Sequence, residues 1–83
     1  MPRYYFNLKD GRVLLDQDGS EFPDIHAARK EAVRYSGEVL RDGAGEALWA
    51  GELWKLWVTD EPNGKGNTFF TLTFSATEGA AKS

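Results

Sequence analysis

The chain has 83 residues, 41% hydrophobic and 28% charged, with a formal net charge of −3 and no cysteine. That size holds one domain near the lower limit of what folds without staples, and the missing cysteine excludes a disulfide framework and thiol chemistry. The acidic balance argues against nucleic acid as a partner, and one histidine with no cysteine argues against zinc.

Residues 3–8, Arg-Tyr-Tyr-Phe-Asn-Leu, carry the aromatic and branched side chains of a strand. Alternation sets Tyr4, Phe6 and Leu8 on one face and Arg3, Tyr5 and Asn7 on the other. Lys9-Asp10-Gly11-Arg12 is a hairpin turn by its Asp-Gly pair, and Val13-Leu14-Leu15 is the returning strand. Asp16-Gln17-Asp18-Gly19-Ser20-Glu21 has the look of a calcium loop. An EF-hand register fails, however: with Asp18 and Gly19 at positions five and six, position one is Leu14 and position twelve is Ile25. An acidic turn that steers the chain into a helix is the simpler reading.

Phe22-Pro23-Asp24 ends the extended segment, and Asp24 suits an N-cap because its carboxylate can accept from first-turn N–H groups. Ile25, Ala28, Ala32, Tyr35 and Val39 then recur with the spacing of a buried helical stripe. Arg29, Lys30, Glu31, Arg34, Glu38 and Arg41 form the solvated side. Gly37 should cost about 1 kcal/mol against alanine; it marks a close contact or an early loosening. Asp42-Gly43 is the stop, with Gly43 expected in the left-handed C′ position. Past it, Glu46-Ala47-Leu48-Trp49 reads as a short helical turn, with Trp49 expected to anchor the connection to the core edge.

Residues 53–60 and 68–75 are the last two strands, joined by the turn-rich 61–67. Gly64-Lys65-Gly66 lacks the spacing of a phosphate loop. The fold class is therefore α+β: a ββ-α-ββ, largely antiparallel four-stranded sheet with one helix on one face. The expected strand order is second, first, last, third, with the first and last strands central. The core candidates are Tyr4, Phe6, Leu8, Leu14, Ile25, Ala28, Ala32, Val39, Trp54, Leu56, Val58, Phe70, Leu72 and Phe74. The domain spans residues 1–76, and 77–83 are expected to fray.

Several segments together resemble a bacterial family. They are Met1-Pro2-Arg3-Tyr4-Tyr5-Phe6, Asp18-Gly19-x-Glu21-Phe22-Pro23-Asp24, Ala28-Arg29-x-Glu31-Ala32, Trp49-x-Gly51-Glu52-x-Trp54, Val58-Thr59-Asp60-Glu61 and Phe70-Thr71-Leu72-x-Phe74-Ser75-Ala76. In this order they are similar to the domain-of-unknown-function family 6894, whose short Asp-Glu-x-Gly hairpin appears here lengthened as Glu61 to Asn67. The resemblance implies a whole-chain domain and carries no activity, ligand or catalytic residue. The first half also resembles the antitoxin of HicAB-type modules, in its hairpin, Phe-Pro-Asp entry and Ala/Glu-rich helix; the aromatic second hairpin departs from that pattern.

The sheet face opposite the helix is the candidate surface: Arg3, Tyr5, Lys55, Trp57 and Phe69, with Asn7, Thr59, Thr71 and Thr73 between them. Aromatics with basic residues on an open sheet can stack bases, serve as protein-contact anchors, or merely pack across strands. The acidic balance favours protein. His26, beside the N-cap, has no triad-like partner. The expectation is a non-enzymatic binding or assembly module without cofactor or metal, contacting a protein partner or a second copy. The alternative is a nucleic-acid-binding or antitoxin-like regulator. No apolar run nears the roughly 20 residues of a membrane span, and the N-terminus does not read as a signal peptide, so a soluble cytoplasmic protein is expected.

Overall fold

The structure, a computed structural model, describes residues 1–81. Strand β1 (Arg3–Lys9) turns into the two-residue β2 (Val13–Leu14) and, after a loop, β3 (Ser20–Glu21). Helix α1 (Ile25–Val39) follows, continues as a π-helical turn over Leu40–Ala44 and ends in α2 (Gly45–Trp49). Strands β4 (Trp54–Thr59) and β5 (Thr68–Phe74) close the fold. The sheet is antiparallel in the order β2-β1-β4-β5, with β3 beside the start of β1.

The α+β class holds, and the strand order does not. The first strand of the second hairpin, not the last, lies beside β1. β4 runs antiparallel to β1 and β5 antiparallel to β4, so β5 beside β1 would make a parallel pair, the weaker arrangement per residue. Composition favours the same choice. Trp54, Leu56 and Val58 of β4 are at most 1% exposed, and Thr59 on its other face is fully buried, whereas Thr-rich β5 tolerates an edge.

The helix enters as its sequence dictates. Asp24 is extended, at φ −159°, and its Oδ1 accepts the Ala27 N–H at 3.0 Å. Ala28 and Ala32 are fully buried, so α1 can lie close to Tyr4, Leu8, Trp54, Leu56 and Val58. Ile25, Tyr35 and Val39 flank that contact. Ser36 is buried too, and its hydroxyl donates to the Ala32 carbonyl at 2.7 Å, the back-bond that makes a helical serine tolerable inside. Gly37 has nothing within 4 Å of where a Cβ would sit, so it marks no close contact. Gly43 is extended at φ 162° rather than left-handed, because the helix unwinds through the wide turn instead of stopping at a C′ residue.

Two further expectations, on Leu14 and Trp49, are corrected. Leu14 is 51% exposed: it lines an open groove beside α1, opposite Tyr35, because β2 lies outside the strip the helix covers. Trp49 is 65% exposed, and its neighbour Leu48 packs on the core instead. Beyond β5, residues 75–81 hold no helix or strand, and the rest of the expected tail, Lys82 and Ser83, lies outside the described residues.

The edge of β1 between β2 and β3 is completed by a side chain. Alternation directs the Phe6 N–H to that side, and the Asp16 Oδ2 accepts it at 3.0 Å. The Asp16 Oδ1 takes the N–H groups of Asp18 and Gly19, at 3.1 and 3.0 Å. The Asp16 N–H donates to Asn7 Oδ1 at 3.0 Å, and its carbonyl accepts from the Asn63 N–H at 2.9 Å. One residue thus stands where strand β2 would have continued. Gly19 is required by the same turn: its φ is +69°, and a Cβ there would come within 2.9 Å of both Arg3 Cγ and the Tyr5 ring.

Replacing Asp16 by alanine should therefore leave the part-buried Phe6 N–H without an acceptor and cost about 2–4 kcal/mol, with Asp16→Asn costing about 1–3, since an amide satisfies only one side of the turn. Urea unfolding of the two variants beside Asp18→Ala checks this; equal stability of all three would contradict it.

Candidate functional site

The face opposite the helix is divided by the Asp16 loop. Asn7, on this face by alternation, is fully buried. Its Nδ2 lies 3.2 Å from both the Trp57 carbonyl and Thr59 Oγ1, and the Thr59 hydroxyl donates to the Glu61 carbonyl at 2.9 Å. With the Asn63–Asp16 bond, these contacts form a closed circuit through β1, the Asp16 loop, the end of β4 and the β4–β5 loop. Two loops are therefore tied down over one half of the face.

The five predicted residues separate accordingly. Arg3 is held across β1 and β3, donating to the Asp18 carbonyl at 2.9 Å and to Glu21 Oε1 at 3.1 Å. Tyr5 is half-buried beneath Gly19. Lys55 and Trp57 are brought together: the Lys55 Nζ lies 5.1 Å from the indole centroid, within cation–π range. Trp57 is half-buried beside Gly64, where a Cβ would sit 3.1 Å from Leu15 and 3.7 Å from the indole.

Phe69 is not on this face. The β4–β5 register shifts between Val58 and Thr59, so Thr59 meets Thr68, Val58 meets Phe70, and Phe69 is the extra residue. The bulge turns its ring onto Tyr4, at a centroid distance of 5.0 Å on the helix side. Simple alternation cannot anticipate a bulge.

What remains of the face is the strip of Lys55, Trp57, Thr71 and Thr73, and it borders the outer edge of β5. Among the described residues no strand pairs that edge. Because the Phe6 N–H goes to Asp16, Phe6 turns away from β4, and Phe6–Val58 is a non-hydrogen-bonded pair. Val58 then turns its backbone to Phe70, and the parity carries on down the strand. Phe70, Leu72 and Phe74 bond β4, while Thr71 and Thr73 aim their N–H and C=O groups out of the sheet.

A concavity lies elsewhere, an open groove of about 400 Å³ between α1 and the β2 side of the sheet, floored by Phe6, Leu8 and Leu14. Its ionic groups are partnered. Asp16 serves the loop, and the Arg34 guanidinium bonds both Glu31, at 2.7 and 2.8 Å, and Glu38. The hydrogen bond from Arg34 holds Glu31 below the usual carboxylate range. A depressed carboxylate adds stability above its unfolded pKa and loses it on acidification, a small effect for a pair so near solvent.

Sequence reading missed Asp16 as the organising residue, although two signals pointed there. Asn is depleted in strand interiors, so Asn7 called for a buried partner, and Asp-x-Asp-Gly is a turn in which the first carboxylate bonds backbone N–H groups ahead of it.

The chain matches the family described as Domain of unknown function (DUF6894) over residues 3–75. It belongs to this family. The match covers both hairpins and the helix, and so includes the Asp16 circuit and the β5 edge. No curated protein and no solved structure matches the chain, and nothing in the comparisons supports the antitoxin likeness.

Because Phe69 packs on Tyr4, Phe69→Ala should cost about 1–2 kcal/mol, against about 0.5–1 for Lys55→Ala through its cation–π contact and near zero for Thr73→Ala. Thermal unfolding of the three variants ranks them; a neutral Phe69→Ala would return that ring to the open face.

Proposed function

We propose that this chain is a non-enzymatic protein-interaction module of the cytoplasm, working through the free edge of β5 and the adjoining strip of Lys55, Trp57, Thr71 and Thr73. The observation that supports it is the edge itself. Thr68–Phe74 is seven residues long and contains no charge, proline or glycine. Proteins usually blunt such an edge with lysine, proline or a covering element, because it templates pairing with another chain. Here the opposite side of the sheet is blunted, by a two-residue strand and the Asp16 loop, and the β5 side is not. An added strand would receive backbone hydrogen bonds from Thr71 and Thr73, with Trp57 beside it as an aromatic anchor.

Charge favours a protein over nucleic acid in this reading. The chain carries −3, Arg3 is committed to Asp18 and Glu21, and Lys55 leans on Trp57. A catalytic reading finds little support, since Asp16, Glu31 and Glu38 are already engaged by backbone N–H groups or by Arg34.

A benzophenone side chain in place of Thr73 should form nuclease-resistant protein adducts on illumination in cells that express the chain. The same probe in place of Val33, exposed on the outer face of α1, should form none. Equal labelling at the two positions, or none at Thr73, would overturn the proposal.

A further inference from the structure

We infer that the β5 edge pairs with the β5 edge of a second copy of this chain, antiparallel and centred on Leu72. The inference rests on the interaction reading above and names its partner. Beyond the bulge the strand reads Phe70-Thr71-Leu72-Thr73-Phe74, the same in both directions. A two-fold axis through Leu72, normal to the sheet, sets Phe70 opposite the partner's Phe74, Thr71 opposite the partner's Thr73, and Leu72 opposite the partner's Leu72. Each contact is made twice, as in any isologous interface, and here each side chain also meets its own kind.

Backbone parity agrees. Thr71 and Thr73 are the residues whose N–H and C=O groups leave the sheet, so they form the hydrogen-bonded pairs of the new junction and Leu72 forms the close, non-hydrogen-bonded pair. The bulge at Phe69 ends the regular stretch on one side and the strand end at Phe74 on the other, which centres the register on Leu72.

Charge and packing point to the same occupant. No residue of β5 is charged, so self-pairing opposes no like charges. Phe70, Leu72 and Phe74 lie against the core yet remain only half-buried, because β5 is the outermost strand. In the pair, the two rows meet on the helix side and cover one another, and aromatic and threonine cross-strand pairs each add to the junction. The result is one continuous sheet with both helices on the same face.

The test uses the full chain in a sedimentation series, beside Thr71→Pro, Trp57→Ala and the double variant Thr71→Lys with Thr73→Lys. Thr71→Pro removes an outward N–H at an edge position of the kind where proline is tolerated, and the lysines sit on an exposed edge, so these variants should fold; tryptophan emission checks each. A dimer whose Kd rises about tenfold or more in Thr71→Pro and in the double variant is expected. Because the chain has no cysteine, engineered ones report the register. Leu72→Cys should bridge to its own copy under mild oxidation faster than the more exposed Thr73→Cys, since facing residues of a non-hydrogen-bonded pair lie about 4.5 Å apart at Cα.

Faster bridging by Thr73→Cys would overturn the register. A dimer lost in Trp57→Ala but kept in Thr71→Pro would overturn edge pairing and leave the interaction module standing on its face. A monomer at every concentration would overturn self-pairing; the Thr73 photoprobe then separates the two readings, a heterologous adduct preserving the module and no adduct ending it.

Discussion

The Asp16 carboxylate, bonded to the Phe6 N–H on one side and to the Asp18 and Gly19 N–H groups on the other, is the contact on which the rest of the molecule depends. A sheet of this size has two edges, and each presents backbone groups that must find partners. On the β1 side the chain supplies only two paired residues at each end of the strand. The gap between them is filled by one side chain whose own N–H and carbonyl are tied to Asn7 and Asn63. The same residue that finishes the edge also sets the turn that delivers the chain to Phe22 and the Asp24 cap, and so the placement of α1.

That arrangement makes the two edges unequal. The β1 side is short, looped and carries Arg3, Asp16 and Glu21; the β5 side is straight after its bulge and neutral. Because parity is transmitted from strand to strand, the bond at Phe6 also decides which residues of β5 face outward. Thr71 and Thr73 present both a backbone pair to the free edge and a small side chain to the strip beside Trp57. The backbone groups that β5 offers to a further strand are thus linked through the sheet to a hydrogen bond at the opposite edge.

Much of this was legible in the residues. The helical stripe from Ile25 to Val39, the Asp24 cap and the alternation that buries Tyr4, Leu8, Trp54, Leu56 and Val58 are local patterns with a period, and local patterns survive in sequence. What was not legible depends on tertiary choice. The order of β4 and β5 turns on strand direction, which no short stretch encodes. The bulge that moves Phe69 onto Tyr4 is a single inserted residue without a proline or glycine to announce it. Leu14 and Trp49 look like core residues by type, and their exposure follows from where α1 stops covering the sheet. Alternation set Lys55 and Trp57 on one face of the sheet, but alternation alone could not show that two loops fold over its other half.

Amide hydrogen exchange resolved by residue at low protein concentration tests the central claim most directly. If Asp16 completes the edge, the Phe6 amide exchanges as slowly as that of Leu72, while the Thr71 and Thr73 amides exchange fast and slow down only as concentration rises. A rapidly exchanging Phe6 amide, or Thr71 and Thr73 protected in place of Leu72, would show that the edge is not closed this way and that the outward residues of β5 are assigned to the wrong parity.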